Sequence, residues 1–181
     1  MLSNDFSLIK IAQEARSKLA LEKLPIDINK IISSYNIAVA AYNVAVAGLT
    51  HNDSIILYKV VDFPKYIHEP KNIKLADLPT TIFLNENTPI KYQRFALAHA
   101  LSHKLLYHFS RSDYYVYTMD SENDYYNNEA FQLAAEILVP TDWIELLLKN
   151  NKAKNIQELE KYFNVPHSVI AFQVNKIGTS T

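Results

Sequence analysis

The stretch from Pro89 to Phe109 constrains this chain more than any other. After Pro89 it runs without glycine or proline, and Phe95, Leu97, Leu101, Leu105 and Leu106 supply apolar positions at helical spacing. The pattern predicts a helix over 90–108. His99 and His103 both belong to it. A spacing of four puts two side chains on one helix face, one turn apart. Both imidazoles can then address a single divalent ion at about 2.0–2.1 Å. A catalytic zinc needs three protein ligands and an open position for water. The next helical pattern, 125–138, carries Glu129 and Glu136, seven residues apart and so roughly on one face. Spacing alone leaves either as the third ligand. Between the histidines, beside His99, stands Ala100, a side chain that can carry no proton.

Composition narrows what such a site can be. The chain has no cysteine, so disulfides and thiolate metal sites are excluded and any metal must use nitrogen and oxygen donors. Gly48 and Gly178 are the only glycines, which argues against glycine-rich phosphate cradles. A formal net charge of −1 gives no basic footprint for nucleic acid. Residues 1–30 mix charged and apolar residues at helical spacing, unlike a signal peptide, and no apolar run is long enough to span a membrane. A cytoplasmic protein without a membrane partner is expected. At 181 residues we expect a main domain over 1–150 and a helical extension over 151–181.

The remaining pattern predicts an α+β fold. A helix over Asp5–Lys23, ended by Pro25, buries Leu8, Ile11, Ala12, Ala15 and Leu19. Asp27 caps a short helix that buries Ile28, Ile31 and Ile32. Strands are expected near 37–46, 54–61 and 80–84, forming a small sheet packed on the 90–108 helix. Residues 62–79, with three prolines, read as an irregular surface connection, and His51 and His68 as solvated histidines. Thr88 is the expected cap before Pro89. The tyrosine-rich segment 110–128 reads as a loop that either lines a groove or packs on the domain. Thr141 should cap a helix burying Trp143, Leu146 and Leu147, and Asn155 with Glu158 has the shape of a capping box. The helix it opens, the turn at 164–166 and the helix from His167 to Ile177 resemble a helix-turn-helix. Lys176 is the fixed cation of that last helix, so protein contact is expected there rather than direct DNA binding.

Four segments in order carry a resemblance. Lys91 to His103, K-Y-Q-R-F-A-L-A-H-A-L-S-H, resembles the R-F-x-L-A-H-E-x-x-H segment of the ImmA/IrrE family of zincin metallopeptidases. Ile82-Phe83-Leu84-Asn85 is similar to that family's strand ending in asparagine. Glu129 to Pro140 resembles its E-A-N-x-F-A-A-x-L-L-x-P segment, and Leu159 to Pro166 its L-A-x-x-F-x-V-S stretch. The resemblance covers about residues 80–175. It implies a zincin-like fold, a zinc ion (with manganese as the alternative metal), and Glu129 as the third ligand beside His99 and His103. It also implies a helix-turn-helix (XRE-type) repressor as substrate, cleaved or inactivated to switch on genes of mobile elements or stress responses. Phe131, Leu133 and Ser102 stand where asparagine, phenylalanine and glycine are usual in the family. The departure with chemical weight is Ala100, which replaces the glutamate that would act as general base on metal-bound water.

Ala100 admits two readings. In the first, the chain is a zinc-dependent endopeptidase carrying an inactivating glutamate-to-alanine substitution, with its metal ligands intact. In the second, it is a natural pseudopeptidase that binds a repressor or other partner without cutting it.

Overall fold

The computed structural model describes residues 2–18, 23–42, 55–58, 81–85, 88–108, 115–117 and 125–178. In chain order its elements are α1 (Leu2–Ser17), α2 (Ile28–Ser34), β1 (Ala38–Tyr42), β2 (Ile55–Tyr58), β3 (Thr81–Asn85), α3 (Ile90–Leu105), β4 (Tyr115–Tyr117), α4 (Tyr125–Leu138), α5 (Thr141–Lys149), α6 (Ile156–Phe163) and α7 (His167–Gly178). The expected connection 62–79 and the histidines His51 and His68 lie outside the described residues.

Helix α3 has no solvent face over its middle turns. Every residue from Phe95 to His103 is buried. A helix covered all round must be central, and α3 packs chiefly against α4 while also meeting α2 and β3. From α4 come Ala130, Leu133, Ala134, Ile137 and Leu138, all fully buried at spacings of three and four. Pro89, at φ −55°, is the N-cap of α3 and no side chain caps it. Thr88, expected in that role, instead offers its carbonyl to Gln93 Nε2 at 2.6 Å.

Four strands form one sheet in the order β1-β3-β2-β4. β1 runs parallel to β3, with Val39 opposite Ile82. β2 lies antiparallel to β3 on one side and to β4 on the other. Ile82 and Leu84, two apart and so on one face, are buried in the core. β4 falls in the segment expected to be loop. Its three residues, Tyr-Val-Tyr, are good strand formers but too few to show a period.

The N-terminal helix stops at Ser17, short of the expected Lys23. Ser17 Oγ donates to the Glu14 carbonyl at 3.0 Å, a local bond that competes with continued helix. Leu8, Ala12 and Ala15 are buried, and α1 packs on α4. Asp27 caps α2, accepting from the Lys30 amide at 3.3 Å.

α5 begins after Pro140, so Thr141 is its first helical residue rather than its cap. The Thr141 amide and hydroxyl both donate to Glu136 Oε1 at 3.3 Å. This register buries Ile144 and Leu147, leaves Leu146 57 % exposed, and leaves Trp143 half-buried. Asn155 caps α6 through its bond from the Glu158 amide at 2.9 Å. Glu158 reaches back to the Lys154 amide at 2.7 Å, one residue beyond the usual box.

Asn164, at φ 51°, turns the chain from α6 into α7. Leu159, Phe163, Val165, Val169 and Ile170 join the same apolar cluster as Leu8 and Leu101. No helix among the described residues is long and apolar enough to cross a membrane.

Candidate functional site

Among the described residues four helices end at a residue with positive φ, and three of them, all but α6 with its Asn164, share one turn that folds the backbone back on itself. At Asn36, Tyr107 and Asn151 the φ angles are 54°, 55° and 53°. The amides of these residues donate to Ser33, Lys104 and Leu148. The amides of the next residues donate to Ile32, His103 and Leu147. This is the Schellman arrangement, in which the second residue past the cap returns to the third residue before it. Glycine is the usual residue for such a turn; with two glycines in the chain, asparagine serves at two of the three. Tyr107 is the exception.

The Tyr107 turn builds the site. It carries His108 back over the end of α3, so that the His108 amide bonds the His103 carbonyl at 3.1 Å. The two rings then meet, Nδ1 to Nδ1, at 2.9 Å. Sequence spacing places His108 off the face of His99 and His103; that holds for a continuing helix and fails because the helix stops. His108 Nε2 lies 3.2 Å from Glu129 Oε2 on α4. On the other side of His103, Nε2 faces Asn127 Oδ1 at 3.1 Å. His99 Nε2 faces the Asn127 backbone oxygen at 3.4 Å. The His99 and His103 ring centroids are 4.7 Å apart.

His99, His103 and Glu129 therefore belong to one polar cluster between α3 and α4. Asn127 and His108 join them by hydrogen bonds, and the His99 and His103 rings also meet edge-on. Neither Asn127 nor His108 stood out in the sequence. His108 was hidden by a left-handed turn at a tyrosine, and Asn127 by its neutral side chain. Glu136, about two turns further along α4 than Glu129, has other partners: its Oε2 accepts from Gln173 Nε2 at 2.9 Å, while Arg16 Nη1 donates to its backbone oxygen. Burial raises the Glu136 carboxyl above the usual range, against the bonds from Gln173 and Thr141 and the nearby Arg16.

An amide oxygen and a carboxylate only accept, so the ring nitrogens that face Asn127 Oδ1 and Glu129 are the donors. A positive charge is disfavoured on His103. Burial, reinforced by neighbouring His99 and His108, pushes its imidazole down to about 2. Burial likewise pushes His99 down to about 4. Both histidines of α3 are thus neutral rings at neutral pH, the state a metal ligand needs.

Their arrangement is a different matter. Neutral imidazoles and a carboxylate are zinc donors by type. Yet both α3 histidines turn Nε2 to Asn127, and the Glu129 carboxylate is engaged by His108. Among the described residues no group of three or more His, Cys, Asp or Glu side chains is gathered as a metal site requires. Ala100 is fully buried in the apolar core beside this cluster. Ser102 fills its position by donating back to the Ala98 carbonyl at 2.8 Å. Phe131 packs edge-on against Phe95, with centroids 5.0 Å apart.

Residues 62–175, more than half of the chain, match the peptidase M78 family, described as the IrrE N-terminal-like domain. The chain belongs to that family. The match takes in β3, α3 and α4 with the whole polar cluster, and α1, α2, β1 and β2 precede it. No curated protein and no solved structure matches the chain significantly. Membership in M78 makes this a protein of metallopeptidase kind, built around a central helix in which alanine follows the first histidine.

Proposed function

We propose that this M78 protein binds a polypeptide partner without cutting it. The observation that carries the reading is Ala100. The position next to His99, where the motif places its general base, holds a buried methyl group. Peptide hydrolysis needs a group there that takes a proton from water and passes it to the leaving amine. The nearby carboxylates do not stand in for it. Glu129 is paired with His108, and Glu136, about two turns further along α4, serves Thr141 and Gln173. Zinc or manganese bound by His99, His103 and Glu129, as the resemblance implies, would require Asn127 and His108 to release their present bonds.

The partner we propose is a helix-turn-helix repressor of the XRE type, the substrate class that the ImmA/IrrE resemblance implies. Direct DNA binding is disfavoured. Gln173, central in α7, is fully buried against Glu136 and Val139 and is not presented to a groove. The test is size-exclusion chromatography of the chain mixed with the repressor encoded beside its gene, followed by the same mixture with Ala100→Glu and added zinc. We expect a stable complex and an intact repressor with the chain as it stands. Failure to form any complex would remove the binding proposal. Rapid cleavage by Ala100→Glu would favour an endopeptidase carrying an inactivating substitution.

A further inference from the structure

The two α3 imidazoles converge on Asn127, not on Glu129, and this has a geometric meaning. Two ligand atoms each about 2.0–2.1 Å from one tetrahedral ion stand about 3.3 Å from each other. His103 Nε2 is 3.1 Å from Asn127 Oδ1, and His99 Nε2 is 3.4 Å from the Asn127 carbonyl oxygen. The first is the separation of two side-chain ligands that share an ion, adopted here by groups that share a hydrogen atom; the second, made to the backbone, holds the His99 ring beside the same residue. Glu129 meets His108 on the opposite side of the His103 ring, at the end reached through Nδ1.

We infer that position 127 is the third corner of a divalent-cation site on this scaffold, and that Asn127 closes the site with hydrogen bonds in place of an ion. An amide oxygen is neutral and is not among the donors that hold zinc, whereas a carboxylate in the same place is. Asparagine and aspartate have the same shape, so one substitution exchanges a hydrogen-bond acceptor for a zinc ligand without new volume. As it stands, Asn127 does mechanically what an ion would do: it ties both histidines of α3 to the first turn of α4. His103 is fully buried and Asn127 nearly so, which shields these bonds from water. This deepens the proposed function at the same site. It can fail separately, because its test reads metal content and not the fate of a partner.

The experiment is titration of the full chain with cobalt(II) and zinc(II), followed by the tetrahedral cobalt absorption bands and by bound zinc after desalting. It compares the unaltered protein with Asn127→Asp, Asn127→Glu, Asn127→Ala and Glu129→Ala. We expect the unaltered protein and Glu129→Ala to retain no zinc, and the thermal midpoint of the unaltered protein to be insensitive to chelator. Asn127→Asp or Asn127→Glu should bind one equivalent at least tenfold more tightly, and lose it when His99 is also replaced by alanine. A folded Asn127→Asp and Asn127→Glu that gain nothing would overturn the inference. So would one tightly held zinc in the unaltered protein that Glu129→Ala abolishes and Asn127→Ala leaves in place. If both carboxylate variants fail to fold, the unaltered protein and Glu129→Ala still decide it.

Discussion

His99 and His103 are neutral in the folded chain because burial makes their charged forms costly, holding them at about 4 and about 2. In the unfolded chain each titrates near 6.5. Between those values the unfolded state binds more protons, so stability contributed by these rings is fully present above about pH 6.5 and is lost as pH falls. Glu136 acts with the opposite sign, since burial raises its carboxyl and the folded state then binds its proton more readily. Two histidines against one carboxyl leave a net loss on acidification. Urea unfolding at pH 7 and pH 5 should show the chain less stable at pH 5, by about 1–2 kcal/mol for each histidine before the Glu136 offset. Replacing both histidines by asparagine should flatten that dependence. The same burial explains why the imidazoles lean on Asn127: an unsatisfied buried ring nitrogen costs about 1–3 kcal/mol.

At the level of elements, the termini decide where side chains meet. Tyr107 holds a left-handed turn with its ring 78 % exposed, a conformation that costs a residue with a Cβ about 1–2 kcal/mol. Asn36 and Asn151 occupy the same kind of turn at lower cost. Tyr107→Asn should therefore stabilise the chain by about 0.5–1 kcal/mol, seen as a higher urea midpoint with an unchanged denaturant slope. This turn also marks the limit of what was legible beforehand. α4 follows its expected bounds because a long apolar period with a closing proline is visible in residue types. α3 was visible for the same reason up to the turn that ends it at Leu105. The His99–His103 pair followed from helix geometry alone. The meeting of His108 with His103 did not, because it depends on a φ angle that tyrosine does not advertise. The convergence on Asn127 did not either, since a neutral amide has no signature as a site residue until its neighbours are in place. Trp143 and Leu146 were misjudged because the starting residue of α5 sets which positions face inward, and Pro140 moved that start.

Over the whole molecule, one side chain links the central helix to distant parts of the chain. Arg94 Nη2 donates to the Ile26 carbonyl at 2.7 Å, and its Nε to the Asn164 carbonyl at 3.1 Å. It thereby joins α3 to the approach to α2 and to the end of α6. Burial lowers the Arg94 guanidinium from its usual range, partly offset by Asp27. Arg94→Ala removes charge-assisted bonds and leaves two carbonyls to find other partners, which should cost about 2–3 kcal/mol. Hydrogen exchange should show the loss concentrated in α6 and α7, with α4 still protected. Those C-terminal helices share the apolar cluster of the central helices, so their docking and the polar cluster between α3 and α4 depend on the same packing.

In the proposed function, a scaffold of metallopeptidase kind grips a helix-turn-helix repressor and does not cut it. Intact-mass spectrometry of the helix-turn-helix repressor, after prolonged incubation with the chain and excess zinc or manganese, tests this most directly. The expected result is a repressor of unchanged mass. A pair of fragments summing to the repressor plus one water, formed by the unaltered chain and absent with His99→Ala, would contradict it.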